Sequence, residues 1–152
     1  MIRKATPFDM PALVSMMRGY AKEIPMETLK DASLHDQAHI ESLMASLMAG
    51  RGFILIDDLH RGFIAAVINQ NTWCPSVYEL NELAWWGMPE HRGGTVGGRL
   101  WKKFDLLAQD LLDNKRVQVI CTSLNANSPS INYEKHGYQL MQKTYFKELQ
   151  CQ

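Results

Sequence analysis

The run Pro89-Glu90-His91-Arg92-Gly93-Gly94-Thr95-Val96-Gly97-Gly98-Arg99-Leu100 decides how this chain is read, because it sets four glycines between an extended segment and a helical one. Before it, Tyr78 to Trp86 reads as a strand. After it, Val96, Leu100, Phe104, Leu107 and Leu111 form an apolar stripe at helical spacing that stops before Asp113-Asn114-Lys115. Glycine keeps side chains out of a ligand's path, and the first amides of the following helix have no partners of their own. A phosphate or pyrophosphate fits such a turn, with Arg92 as a forked donor at its edge. The plain alternative is a flexible connection. Two familiar nucleotide motifs do not fit. Gly97 is followed by Gly98-Arg99 where a P-loop needs Lys and then Ser or Thr, and the loop follows two helices and three strands, too late for a dinucleotide fold.

The whole chain, 152 residues and 17.4 kDa, is the size of one domain, so residues 1–152 are expected to form a single unit. Sixteen Lys and Arg balance sixteen Asp and Glu, which leaves no global positive field to gather nucleic acid. There is no apolar run of the length that spans a bilayer and no secretory leader pattern, so no membrane partner and a cytoplasmic location are expected. Cys74, Cys121 and Cys151 are an odd set without a C-x-x-C pair and read as reduced thiols.

Outward from the loop, Ile2 to Ala5 reads as a short strand and Thr6-Pro7-Phe8-Asp9 as a capping box. Leu13, Met16, Met17 and Tyr20, then Ile40, Leu43, Met44, Leu47 and Met48, mark two helices before Gly50. Phe53 to Ile56 and Phe63 to Ile68 flank a turn-like Asp57 to Gly62 and form an antiparallel hairpin. Beyond the loop helix, Val117 to Ile120 is a strand, Ser128-Pro129 caps a short helix from Ser130 to His136, and Tyr138 to Leu149 is extended. The order β-α-α-β-β-β-α-β-α-β describes an α/β fold, a single mixed β-sheet flanked by helices.

Placed in that order, the sequence resembles the GCN5-related N-acetyltransferase superfamily. Arg92, Val96 and Gly97 match its signature of Arg or Gln, then x-x-Gly-x-Gly or Ala, between the fourth strand and third helix. Pro89 matches three residues ahead. Tyr133-Glu134-Lys135-His136-Gly137-Tyr138 is similar to the family's Tyr-Glu-Lys-x-Gly-Phe segment, and Ile2 to Thr6 with Asp9, and Gly62-Phe63, also look like family positions. The resemblance covers nearly the whole chain. It implies acetyl-coenzyme A as co-substrate, its pantetheine arm in a gap between Glu79–Trp86 and Val117–Ile120 near the backbone of Gly87 and Met88. The pyrophosphate would lie on the loop of Arg92, Gly93, Gly94, Thr95, Val96, Gly97 and Gly98. Asn125 is similar to a family Asn that contacts the cofactor, with a turn Asn as its plain reading. Tyr133 matches the family's general acid, which protonates the departing thiolate; its plain reading is an aromatic core residue.

A base must also take a proton from the acceptor ammonium. The family's strand-borne Glu falls at Asn81 here. Glu82 is the first candidate, Glu79 the second and a water wire the third; the two carboxylates point to opposite faces unless a bulge intervenes. Thr95 stands where the first signature Gly is usual, and a β-branched residue resists positive φ. His35-Asp36-Gln37-Ala38-His39 resembles a zinc motif without a third ligand and reads as a polar helix face, so no metal is expected. Trp85 and Trp86 point to opposite sides of their strand.

The expected function is acetyl transfer to a primary amine of a small molecule or peptide, with contacts from Arg18 to His39 choosing the acceptor. A homodimer is left open. The competing reading is a binding or regulatory module that kept the fold without turnover. A third, an enzyme acting on a nucleobase amine, needs a basic cleft that the balanced charge does not advertise.

Overall fold

Apolar residues on both faces of the central strands call for helices on both faces of a sheet, and a computed structural model, which describes residues 1–149, has that arrangement. Cys151 lies outside the described residues. Five strands lie in chain order: β1 (Ile2–Lys4), β2 (Gly52–Asp57), β3 (Gly62–Gln70), β4 (Tyr78–Gly87) and β5 (Val119–Cys121). The first four are antiparallel neighbours and β5 runs parallel to β4. Helices α1 (Met10–Glu23), α2 (Glu27–Lys30) and α3 (Gln37–Ser46) separate β1 from β2, and α4 (Val96–Asp113) makes the crossover from β4 to β5 that a parallel pair requires.

Alternation along β2 explains its unbroken apolar run. Ile54 and Ile56 join Leu13, Met16 and Met44 on the α1/α3 face, while Phe53 and Leu55 join Leu100, Trp101 and Phe104 on the α4 face. Burying each of these large side chains stabilises the fold by about 1.5–3 kcal/mol. Two buried carboxylates tie the strand ends together. Asp9 accepts a two-pronged pair from Arg3 at 2.8 Å each and a contact from His60 at 2.9 Å, and the Arg3 guanidinium holds its carboxyl well below the usual range. Asp57 takes Arg61 in the same two-pronged way at 2.6 and 3.0 Å.

The hairpin, both major N-terminal helices and the loop helix form where the sequence places them. The C-terminal part differs. Val117 is fully buried against α4 and its N–H donates to the carbonyl of Leu111, so pairing with β4 starts one residue later, at Gln118 N–H to the Tyr78 carbonyl. The helix expected from Ser130 to His136 is a single 3-10 turn, Glu134–His136. Its side-chain acceptor is Asn132, which takes the Lys135 N–H, while the Ser128 N–H closes a turn onto the Asn125 carbonyl instead of opening a helix. Tyr138 to Leu149 has no sheet partner. It is held near its end by Glu148, which accepts the N–H groups of Glu27 and Thr28 at 3.0 and 2.8 Å and so caps α2 from across the chain. No helix among the described residues is long and apolar enough to cross a membrane.

Candidate active site

β4 runs on to Gly87, but β5 pairs with it only through Glu79, Leu80 and Asn81. From Glu82 onward the second edge of β4 is therefore free, and a gap opens between the two parallel strands. A bulge shapes that edge: Ala65 pairs with Ala84 and Ala66 with Glu82, which leaves Leu83 unpaired. The extra residue resets the alternation. Leu80 packs on the α4 side, whereas Leu83 and Ala84 both pack on the α1 side. Past the bulge Trp85 stacks on Trp101 of α4 at 5.5 Å, and Trp86 lies against Gly19 of α1, so both indoles pack under helices, on opposite sides of the sheet.

The ladder also decides which backbone groups face the gap. The Met88 N–H donates to the Arg61 carbonyl, and alternation then turns the backbone of Trp85 and Gly87 away from β3. Met88 thus spends its amide inside the ladder, and the Gly87 carbonyl accepts from Arg92 Nε at 2.9 Å. Trp85 N–H and C=O and Gly87 N–H are what remain for a ligand that pairs as a strand.

Glu82 sits where β4 and β5 separate. Its carboxylate accepts the Ser123 N–H at 3.2 Å, and burial pushes its pKa up to about 7, against the lowering effect of that bond. Two phenols share its surroundings. Tyr133 packs edge-on to Trp101, with ring centres 5.2 Å apart, and donates its hydroxyl to the Ser123 carbonyl at 3.1 Å. Burial first, and the Glu82 charge second, push the Tyr133 pKa up to about 12. Tyr20 of α1 is raised by burial as well, with Asn125 and Glu82 beside it. Glu79 is otherwise engaged, as the acceptor for the Asn71 side-chain amide. Asn125 closes the turn with Ser128, as its plain reading expects, and lies beside the Tyr20 hydroxyl.

In the glycine loop, the N–H groups of Val96, Gly97 and Gly98 have no hydrogen-bond partner among the described residues, and the first bond of α4 runs from Arg99 N–H to the Thr95 carbonyl at 3.0 Å. None of the four glycines has positive φ. A Cβ added at Gly93 or Gly98 would meet nothing, and at Gly94 or Gly97 only ordinary contacts. The fold does not need these glycines, and their missing side chains leave open space directly above unpaired amides at the positive end of an 18-residue helix. Thr95 has φ −95°, so a β-branched residue is accommodated without strain.

Arg92, expected as a donor at the loop's edge, is paired within the protein. Its guanidinium grips both oxygens of Glu23 at 2.6 and 2.7 Å and lies 5.6 Å from the centre of the Trp86 ring, which ties the loop to the end of α1. The zinc-like run forms local contacts within the N-terminal helical region. The His35 ring meets the Leu29 carbonyl at 2.8 Å, and Asp36 caps α3 by accepting the His39 N–H. Sequence reasoning missed Tyr20 and Ser123. A phenol at the end of an apolar helical stripe was the available signal for the first, since a buried Tyr brings its hydroxyl to a polar partner. Nothing in the sequence marks the second.

No family model matches the sequence, and no curated protein matches it. Solved structures do. The chain is similar to a GCN5-related N-acetyltransferase from Ralstonia eutropha, with a TM-score of 0.71 at 14% identity over 97% of each chain. It is also similar to glucosamine-6-phosphate N-acetyltransferase from Arabidopsis thaliana, at 0.64 and 12% over 97% of each. An acetyltransferase from Trypanosoma brucei matches at 0.64 and 13%, over 98% of this chain and 99% of that one. At these identities the likeness carries the architecture, and the chain has the fold of the GCN5-related N-acetyltransferases.

Proposed function

We propose that this chain transfers an acetyl group from acetyl-coenzyme A to a primary amine of a small molecule or peptide. The observation that carries the reading is the free edge of β4, which leads from Glu82 to a turn whose amides are unpaired and whose glycines serve no folding purpose. That turn suits a pyrophosphate by its own donors, and the edge backbone of Trp85 and Gly87 suits the amides of a pantetheine arm. When bound, acetyl-coenzyme A supplies an acyl group activated as a thioester. The two free thiols among the described residues, Cys74 and Cys121, agree with a cytoplasmic setting.

Glu82, with a pKa of about 7, is ionised often enough at neutral pH to take a proton from an acceptor ammonium and basic enough to do so effectively. Tyr133 holds its proton firmly while Glu82 is charged. Once Glu82 is protonated, the smaller of the two effects that raise the phenol is gone while burial remains, and Tyr133 becomes a better donor to a leaving thiolate than before. Base and acid are thus coupled in the useful order. Tyr133→Phe is expected to lower kcat about a hundredfold with acetyl-coenzyme A affinity nearly unchanged. Stopped-time acetylation assays beside calorimetric titration check it, and an unchanged kcat makes Tyr133 a packing residue.

The test of the whole reading needs no acceptor. Calorimetry with acetyl-coenzyme A is expected to give a micromolar Kd, about −8 kcal/mol, and dephosphorylated pantetheine to bind far more weakly. Gly98→Val fills the open space over the amides, so its affinity should fall at least about tenfold while its melting temperature stays close to the parent's. A folded protein that binds neither compound overturns acetyl transfer and favours a module that kept only the fold.

A further inference from the structure

A groove on the α1 side of the sheet, lined by Trp86 of β4, has an unusual balance of polar groups. Arg18 and Lys22 lie one turn apart on α1, and with Ser15, Gln37 and Trp86 they supply the groove's polar atoms. No carboxylate lines it. Neither cation makes an ion pair among the described residues, although two like charges at this spacing repel. Glu23, the neighbour of Lys22, is committed to Arg92, and Glu41 takes the amide of Gln37. Arg18 keeps a single long contact, 3.5 Å, to the Gln37 side-chain oxygen.

Two of the side chains that line it also carry a buried donor with no partner among the described residues, the Nε of Arg18 and the Nε1 of Trp86. The indole is not free to turn toward another partner. Gly19 brings α1 so close that a Cβ there would sit 2.7 Å from the ring, and the Arg92 guanidinium lies over its face. In a chain whose net charge is zero, this local excess of donors is not a by-product of general basicity.

We propose that the groove of Arg18, Lys22 and Trp86 holds the carboxylate or phosphate of an anionic amine, which is the acetyl acceptor. The acceptor role rests on the function proposed above; the anion site does not. Trp86 joins the two, because its side chain lines the groove while the backbone of Trp85, one residue earlier, faces the gap where the acyl group is delivered. An anion seated here pairs with the Arg18 and Lys22 cations, which have no ion-pair partner of their own among the described residues, and leaves the amine-bearing end of the acceptor free.

The experiment follows the Trp86 indole N–H resonance, assigned with Trp86→Phe, as the protein is titrated with O-phosphoethanolamine, β-alanine and ethanolamine. The expected result is a saturable shift with the phosphate-bearing or the carboxylate-bearing amine, whichever group the site prefers, and none with ethanolamine. Arg18→Gln and Lys22→Gln should each weaken it at least about tenfold while calorimetric affinity for acetyl-coenzyme A stays as in the parent. An indole that no anion moves, equal shifts with ethanolamine, or affinities unchanged in Arg18→Gln overturn the site. Loss of acetyl-coenzyme A binding in Arg18→Gln also overturns it, because the groove then serves the nucleotide's own phosphates. Anionic amines that bind a protein unable to bind acetyl-coenzyme A uphold the anion site and overturn acetyl transfer.

Discussion

Glu82→Gln is expected to lower kcat/KM for acetyl transfer about a thousandfold and to abolish the acidic limb of its pH profile. The carboxylate must be ionised to accept a proton, so the parent rate should climb with pH up to about 7, where burial has placed the group, and level off above it. The same shift has an opposite consequence for stability. Between the unfolded-state value of about 4.3 and the folded-state value, the folded chain keeps a proton that the unfolded chain has lost. Stability is therefore fullest below that window, declines as pH rises through it, and is flat above. Glutamine is neutral at every pH and nearly the same shape, so the variant should melt higher than the parent at pH 8 while being almost inactive. Thermal melts at pH 5 and pH 8, beside rate profiles, check both halves. A variant that is less stable at pH 8 would mean that the charged carboxylate is needed to hold Ser123, and Glu82 would then be structural.

Gly52→Ala carries the largest expected effect on the fold. A Cβ at this first residue of β2 would lie 2.0 Å from the carbonyl oxygen of Ala66 in β3, well inside any tolerable contact. The obstacle is backbone in the neighbouring strand, not a side chain that can swing aside, and β3 is itself locked between β2 and β4. Relief requires the two strands to separate at the start of their ladder. Overpacking of this kind costs about 3 kcal/mol, and in a chain of this size that lowers the melting temperature by roughly 6–12 °C. A melt within about 2 °C of the parent would show that β2 begins further along than Gly52.

How much of this was legible depended on whether a residue's role is local. The loop helix, the hairpin and the two large N-terminal helices follow from apolar spacing and turn residues, which act over a few positions. The final helix was misread because Ser128-Pro129 is a good cap wherever it stands, and only the turn onto Asn125 shows that its N–H is used elsewhere. Arg92 could be placed in the loop from the motif, but its partner Glu23 is 69 residues away and no local pattern predicts the pair. Choosing between Glu79 and Glu82 likewise needed the point at which β5 stops pairing and the position of the bulge, both properties of a sheet. The cationic groove was hidden for the same reason: Arg18 and Lys22 are ordinary surface residues until Trp86 is brought beneath them.

The clasp of Glu148 on α2 bears on the order in which the molecule is assembled. β2, β3 and β4 pair with their neighbours along the chain and can zip up early, whereas β1 and β5 must each wait for a long helical connection to close, and the segment after β5 has only scattered anchors. Glu82 belongs to the early part and Tyr133 to the late one. The two halves of the proposed chemistry are therefore joined late, when the segment after β5 packs onto α4 through Tyr133 and reaches α2 through Glu148. Heating should undo the same step first, so that turnover fades while the sheet and its circular dichroism signal are still intact.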